Sequence, residues 1–202
     1  MRAKKNQGLR FGSVVAALIR LAIVGAVIAA IALMLQRPDL PPAPEATGGG
    51  TPGALVSLLS DARSNTESGT MVEIPWSLVN GVLADTVKTA TVEGMQFLPI
   101  KIERCYIQGT DADSEIIVER SLFGMSLVSR VVIAPEKTAS GYTLAVKDGA
   151  IGCLPLPGKF VVMIDSAIKQ LPMPFSQELD ILSRANVIEI SPESLVVGFG
   201  PR

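Results

Sequence analysis

The longest apolar run lies near the N-terminus, where the segment Val14–Leu35 is interrupted by a single charge, Arg20. At about 1.5 Å per residue a helix over this segment is roughly 33 Å long, and the hydrocarbon core of a bilayer is about 30 Å thick. Arg20 lies near one end, from which its long side chain can extend to the headgroups. The pattern therefore predicts a transmembrane anchor at residues 14–35.

Three later segments place apolar residues at helical spacing and predict helices. They are residues 54–63, a segment that begins at Pro75, and residues 159–171. Proline suits the first turn of a helix, and Pro172 with Pro174 ends the third segment.

Between these helices the period changes to two, which predicts strands. Residues 115–134 form either one long bent strand or two strands joined near Gly124, and both faces of this segment are apolar. Residues 148–158 hold two prolines and three glycines and are predicted to be a connection. The predicted strands are residues 71–74, 95–108, 115–134, 142–146, 179–190 and 195–199. The order of elements predicts one α+β domain over residues 54–202, with a curved, mostly antiparallel sheet packed on two or three helices.

Residues 36–53 contain five prolines and four glycines in 18 positions. This composition predicts a linker between the span and the domain, which holds the domain a few nanometres or less from the bilayer. An alternative for the apolar run is a cleaved signal peptide. However, Ala30 and Ala32 are followed by further apolar residues, and no clean small-x-small cleavage site follows the run.

The charges are divided unevenly along the chain. No acidic residue precedes Asp39, whereas the chain from Asp39 onward carries 12 Lys and Arg against 19 Asp and Glu, a net charge of −7. Basic residues before a span favour the cytoplasmic side. We therefore expect residues 1–13 to be a cytoplasmic segment and residues 54–202 to be an extracytoplasmic domain of a single-pass cell-membrane protein.

Composition also excludes several kinds of function. The chain has no histidine, so catalytic triads and His-ligated zinc sites are excluded. The acidic segment at residues 111–115 lacks the Gly and Glu positions of a calcium-binding EF-hand loop. We expect no cofactor, no metal site and no enzymatic activity, and an acidic domain with few aromatic residues makes nucleic acid an unsuitable partner.

Cys105 and Cys153 are the only cysteines. Outside the cytoplasm they can form a disulfide, which in the loop-entropy model is worth roughly 3–4 kcal/mol. The alternative is a pair of buried free thiols. The sequence leaves both states open.

Three segments resemble one known family. The segments MVEIPWSLVNGVL, GAIGCLPLPGKFVVMIDSAI and VIEISPESLVVGF resemble the YpmS-like family of bacterial membrane-anchored or lipoprotein envelope proteins, whose function is undefined. The resemblance covers residues 56–199, although Val79-Asn80 stands where family members usually have Leu-Asn. The family is similar to tubular lipid-binding domains, which implies a curved sheet around a lipid-accepting groove and brings no catalytic residues.

The apolar strand and the predicted helix at residues 159–171 supply a candidate hydrophobic groove. Ordinary packing of helix on sheet explains the same pattern. Two functions follow as hypotheses: binding of a lipid or another hydrophobic ligand, or a structural role as the partner of another envelope protein in a membrane complex. The candidate ligand-binding residues are Phe123, Met125, Leu127, Val131, Phe160 and Ile164.

Overall fold

The computed structural model describes residues 7–40, 42–43, 53–64, 70–94, 100–122, 124–139, 141–165, 168–169, 171 and 174–200. Its helices are α1 (Gln7–Leu35), α2 (Ala54–Ser64), α3 (Trp76–Gly94), α4 (Gly158–Ile164) and α5 (Ser176–Ser183). Its strands are β1 (Met71–Pro75), β2 (Ile100–Gly109), β3 (Ser114–Leu122), β4 (Met125–Thr138), β5 (Gly141–Ile151), β6 (Leu154–Pro157), β7 (Val187–Ile190) and β8 (Ser194–Gly198). The predicted α+β class is confirmed.

The strands belong to two antiparallel sheets, where the sequence predicted one. The large sheet has the strand order β2-β3-β4-β5-β6, and the small sheet has the order β1-β8-β7. Each strand of the large sheet pairs with its neighbour in the chain, because short turns connect antiparallel strands. The small sheet instead joins β1, from the start of the domain, to the C-terminal hairpin of β7 and β8.

Two apolar cores hold these layers together. One lies between the large sheet, α3 and α4, with Val118, Val131 and Val161 at its centre. The other lies between α2, α5 and the small sheet, with Leu59 and Val197 fully buried. Burying each such side chain contributes about 1.5–3 kcal/mol, so these cores supply the main stabilisation of the domain.

Asn80 fixes α3 to β2, an edge strand of the large sheet. Its side-chain amide donates to the carbonyl of Ile107 over 2.8 Å and accepts from the N–H of the same residue over 2.6 Å. These two bonds satisfy backbone groups that an edge strand leaves without a strand partner.

Helix α1 contains the predicted span. Within it Val14–Leu35, 22 residues long, is long and apolar enough to cross a membrane. None of its most apolar window is buried in the rest of the protein, which distinguishes α1 from a core helix.

The end of α1 is joined directly to the large sheet. The N–H of Cys153, in the turn between β5 and β6, donates to the carbonyl of Leu33 over 2.8 Å. Met34 packs against the core beneath α4. Gly152 has φ +56°, and a Cβ at this position would lie 2.2 Å from the Met34 carbonyl oxygen. The span and the sheet are therefore in close backbone contact.

The first part of the predicted linker also packs on the domain. Leu40 and Ala43 cover Tyr106, Ile117 and Val128 on the face of the large sheet opposite α4. Before them, the Arg37 guanidinium lies 3.5 Å from the carboxylate of Glu119, which also pairs with Arg104 over 3.5 Å. The residues that immediately follow the span thus lie against the sheet, where a spacer had been predicted.

The predicted strand at residues 179–190 is wrong in its first half, which is the helix α5. Glu178 and Ile181, three residues apart, are its buried positions, and Ala185 is buried just after the helix ends. Leu179 and Ile181 also alternate with polar residues, so the short segment fits both periods. The strand, β7, begins only at Val187.

The predicted helix at residues 159–171 is interrupted after Ile164, because Asp165 has extended backbone angles of φ −95° and ψ 98°. Ile168 and Lys169, within the same predicted range, are helical again. The Asp165 carboxylate pairs with the buried Arg120 side chain and accepts a hydrogen bond from the N–H of Ile168. The bond from Ile168 has the geometry of a helix N-cap, in which a side-chain oxygen accepts from the N–H three residues later and a new helical turn begins. The prediction that Pro75 begins a helix is off by one residue, since Pro75 ends β1.

Residues 148–158 are paired strand for most of their length, contrary to the predicted connection. Ile151 pairs with Leu154, and Asp148 pairs with Pro157. Prolines are accepted in β6 because it is an edge strand. Of the two alternatives at residues 115–134, the structure contains two strands, β3 and β4, whose pairing ends at Leu122 and Met125.

We predict that Gly152→Ala destabilises the protein far more than Gly124→Ala. Both glycines have positive φ, +56° and +79°, so each substitution carries a conformational cost of about 1 kcal/mol. Only the Cβ at position 152 meets α1, whereas the Cβ at position 124 meets nothing within 4 Å. Thermal unfolding of the full chain in lipid nanodiscs, followed by circular dichroism, measures both losses. Equal losses would show that the contact with α1 is not tight.

Candidate functional site

An apolar cavity of about 370 Å³ lies between the large sheet, α4 and α5. The sheet contributes alternate residues of β3, β4 and β5, which share a face because the side chains of a strand alternate. Val162 and Ile168 line it on the side of α4, and Leu179 with Leu182 line it on α5. The volume falls within the range of small-molecule sites, roughly 300–1,000 Å³.

A second cavity of about 140 Å³ adjoins the first. The two share lining residues from β4, β5, α5 and β7, among them Ile133 and Leu182. The second cavity extends between the two sheets toward Trp76, the single tryptophan of the chain. Glu178 contributes a carboxyl group to its lining. The two cavities are therefore neighbours that share an apolar wall.

The larger cavity opens on one side. Its three exposed lining residues are Thr143, Leu144 and Lys169, which mark the mouth. Near the mouth, Gly141 lies against the end of α5, where a Cβ would be only 1.8 Å from the Ser183 carbonyl oxygen. A cationic side chain thus stands at the rim of an apolar cavity.

Of the six residues predicted for the groove, Val131 lines this cavity. Leu127 packs in the core beneath α4. Met125, Phe160 and Ile164 are exposed and do not line either cavity. Phe123 lies outside the described residues. The structure therefore does not bring the predicted set together around this cavity.

The cavity residues that sequence reasoning missed come mainly from β5 and α5. Tyr142, Leu144 and Val146 alternate along β5, and this alternation was the sequence feature that could have placed them on one face of the sheet. The sequence predicts a strand over residues 179–190, so it does not predict that α5 lines the cavity. Among the described residues, no group of three or more metal-ligating side chains of the kinds His, Cys, Asp or Glu is brought together.

Both cysteines are free thiols. Cys105 pairs in register with Val118, Val118 with Ser129, and Ser129 with Ile151, two residues before Cys153. Three strand spacings of about 4.8 Å separate Cys105 from Ile151, whereas the Cα atoms of a disulfide lie less than about 7 Å apart. The disulfide alternative is not formed in this fold.

Burial raises the pKa of the Cys105 thiol from 9.0 to about 12, with the nearby Arg120 opposing and Asp165 adding to the shift. On the opposite face, burial is also the main cause of the raised pKa of Tyr106, to which the Glu119 carboxylate adds. Neither group has a depressed pKa of the kind that activates a nucleophile.

Comparisons of this chain with family models, curated proteins and solved structures find no match. The resemblance to the YpmS-like family and to tubular lipid-binding domains stays a prediction. The class that the structure itself defines is an α+β domain attached to a candidate membrane-spanning helix and containing an open apolar cavity.

We predict that Cys105 resists alkylation in the folded protein. Near neutral pH, a pKa of about 12 leaves roughly a thousandfold less thiolate than a pKa of 9.0. N-ethylmaleimide, followed by mass spectrometry, should label Cys105 much more slowly in the native chain than in the urea-unfolded chain. The raised pKa also means that this thiol stabilises the fold below about pH 9 and that its contribution falls as the pH rises toward 12.

Two results would contradict the assignment of Cys105 as a buried free thiol. One is a native mass two hydrogens lower than that of the reduced chain, which indicates a disulfide, and the other is a Cys105 that reacts equally fast before and after unfolding. Cys105→Ala serves as the control that identifies the slow site, since it leaves Cys153 as the single reactive thiol.

Proposed function

We propose that the domain of residues 54–202 binds the acyl chain of a lipid, or an apolar ligand of similar shape, without catalysing a reaction. The observation that carries this proposal is the open apolar cavity of about 370 Å³ with its extension toward Trp76. An unfilled apolar cavity forfeits dispersion contacts that its lining would make with a partner. A bound chain restores those contacts and removes apolar surface from water.

The charges around the cavity favour one orientation of the ligand. Lys169 stands at the mouth, where its ammonium group can pair with a carboxylate or phosphate head. Glu178 lies at the inner, smaller cavity and would repel an anion there. The ligand that fits is therefore an amphiphile with an anionic head at the mouth and its apolar chain inside.

The place of action follows from the candidate span. We infer a single-pass protein of the cell membrane, with residues 1–13 on the cytoplasmic side and the domain on the other side, because the N-terminal segment is basic and lacks acids. The contacts of α1 support its retention in the mature protein over cleavage as a signal peptide. Without Leu33 the N–H of Cys153 would lose its acceptor, and without Met34 the core would lose a side chain that packs against it.

We predict that Val162→Phe weakens ligand binding by filling the cavity. Dibromostearate, whose bromine atoms quench tryptophan on contact, should quench Trp76 in the full chain held in phosphatidylcholine nanodiscs. The matched control is Ile164→Phe on the same helix, which adds bulk at an exposed position outside both cavities. Unbrominated stearate should compete for the site, and brominated phosphatidylcholine in the disc tests for direct contact with the bilayer.

Equal quenching in Val162→Phe, Ile164→Phe and the unaltered chain would refute the cavity as the binding site. Quenching that stearate does not reverse would show that the probe contacts Trp76 without occupying a saturable site.

We predict that Lys169→Ala selectively weakens the binding of anionic amphiphiles. Because Lys169 is exposed, its pairing with a head group is worth at most about 1 kcal/mol, a change in affinity of about five-fold. Competition of stearate and of uncharged stearyl alcohol against dibromostearate measures this difference. A loss of equal size for both competitors would place the head group elsewhere.

A further inference from the structure

The height of the domain above the bilayer is set by its junction with α1. Leu33 and Met34 belong to the candidate span Val14–Leu35. The Leu33 carbonyl accepts from the N–H of Cys153, and the partly buried Met34 packs against the domain core. If α1 crosses a bilayer, the turn between β5 and β6 must therefore lie at the boundary of that bilayer.

The hairpin of β3 and β4 extends past the turn between β5 and β6, at the end of the large sheet that contacts α1. At the junction, the N–H of Gly152 bonds the carbonyl of Val128, which marks the level at which β5 ends. Beyond that level β4 continues to Met125, three residues or about 10 Å farther. The last part of α1 contacts β4, with Ala30 and Met34 half-buried one turn apart. The hairpin end thus lies beside residues of the span.

Helix α4 runs toward this same end of the sheet. It begins at Gly158, beside Asp148, and ends at Ile164, just before Asp165, which pairs with Arg120. In register, Asp148 lies opposite Val132 of β4, whereas Arg120 lies opposite Leu127, nearer the hairpin end. The C-terminal end of α4 is therefore close to the level of the junction.

The outer surface of α4 is apolar where solvent would favour polar side chains. Val161 faces the sheet and Val162 faces the cavity on one flank. By helical spacing, Phe160 and Ile164 lie on the opposite flank of α4, away from the cavity. They are 44% and 46% exposed, and Met163 is 65% exposed.

These residues are concentrated at one end of the domain. Outside α1, six large apolar side chains are exposed in the described part of the chain. Four of them, Met125, Phe160, Met163 and Ile164, belong to the end of the β3–β4 hairpin and to α4, which runs toward that end. The other two are Leu144 at the cavity mouth and Met71 on the small sheet. Exposed apolar side chains collected in one region indicate a contact surface.

We propose that this end of the domain rests on the same bilayer that α1 crosses, with Met125, Phe160, Met163 and Ile164 inserted among the lipid headgroups and upper acyl chains. We call these four residues the membrane-facing surface. The occupant is a lipid surface because the span that the sheet contacts at Leu33 and Met34 brings it there. The tether also makes the contact intramolecular, so a small apolar area suffices to maintain it.

The test places a fluorophore at matched positions on and off this surface. Met163→Cys and Met71→Cys, each in a Cys153→Ser background, are labelled with an NBD maleimide, while the buried Cys105 stays unlabelled. The two methionines are equally exposed, 65% and 64%. The full chain is reconstituted in phosphatidylcholine vesicles that carry nitroxides near the headgroup end of the acyl chains.

We expect the nitroxide to quench the label at position 163 several-fold more than the label at position 71, with blue-shifted emission at 163. Met125→Cys is the second variant on the surface and should behave as Met163→Cys does. Circular dichroism checks that each labelled chain keeps the fold. Equal quenching at positions 163 and 71, or a water-exposed label at both 163 and 125, would overturn the proposal and would instead favour a protein partner for this surface. The outcome is independent of ligand binding, because none of these residues lines a cavity.

Discussion

The arrangement of this protein depends on which hydrogen-bond donors the carbonyl groups in the last turn of α1 find. The final carbonyls of a helix have no donors within the helix, and near the hydrocarbon core water is a poor substitute. Here the N–H of Cys153 supplies one donor, and Gly152 permits the approach because it has no Cβ. Arg37 and Leu40 then lie against the opposite face of the sheet. The span and the large sheet consequently behave as one unit, and the segment after the span cannot act as a free spacer along its first residues.

This junction separates two apolar features of the domain. The membrane-facing surface lies at the end of the large sheet joined to α1, whereas the cavity mouth lies near Leu144, seven residues along β5 from Ile151. At about 3.3 Å per residue that distance is roughly 20 Å. A ligand in the cavity would therefore exchange through the aqueous side of the domain, and the large sheet would act as the spacer that the linker had been expected to provide.

The sequence predicted elements well where local pattern is unambiguous. The apolar length of Val14–Leu35 predicted a helix and the two-residue period around Ile116 predicted a strand, and the structure contains both. The local pattern gave the wrong element where a residue distant in the sequence determines the backbone conformation. Asp165 ends α4 because Arg120, on a strand far away in the chain, engages its carboxylate. Residues 179–183 have apolar positions that suit a strand as well as a helix, and packing of Ile181 against the core selected the helix.

The sequence by itself determined the candidate span, the α+β class and the exclusion of histidine chemistry, because each depends on composition or on local periodicity. Tertiary structure decided the rest. The register of four strands holds the two thiols apart, and the contact of α5 with β5 forms the cavity. The position of Gly152 beneath Met34 joins the domain to α1. Each of these depends on residues distant in sequence meeting in space, and a local pattern carries no information about such meetings.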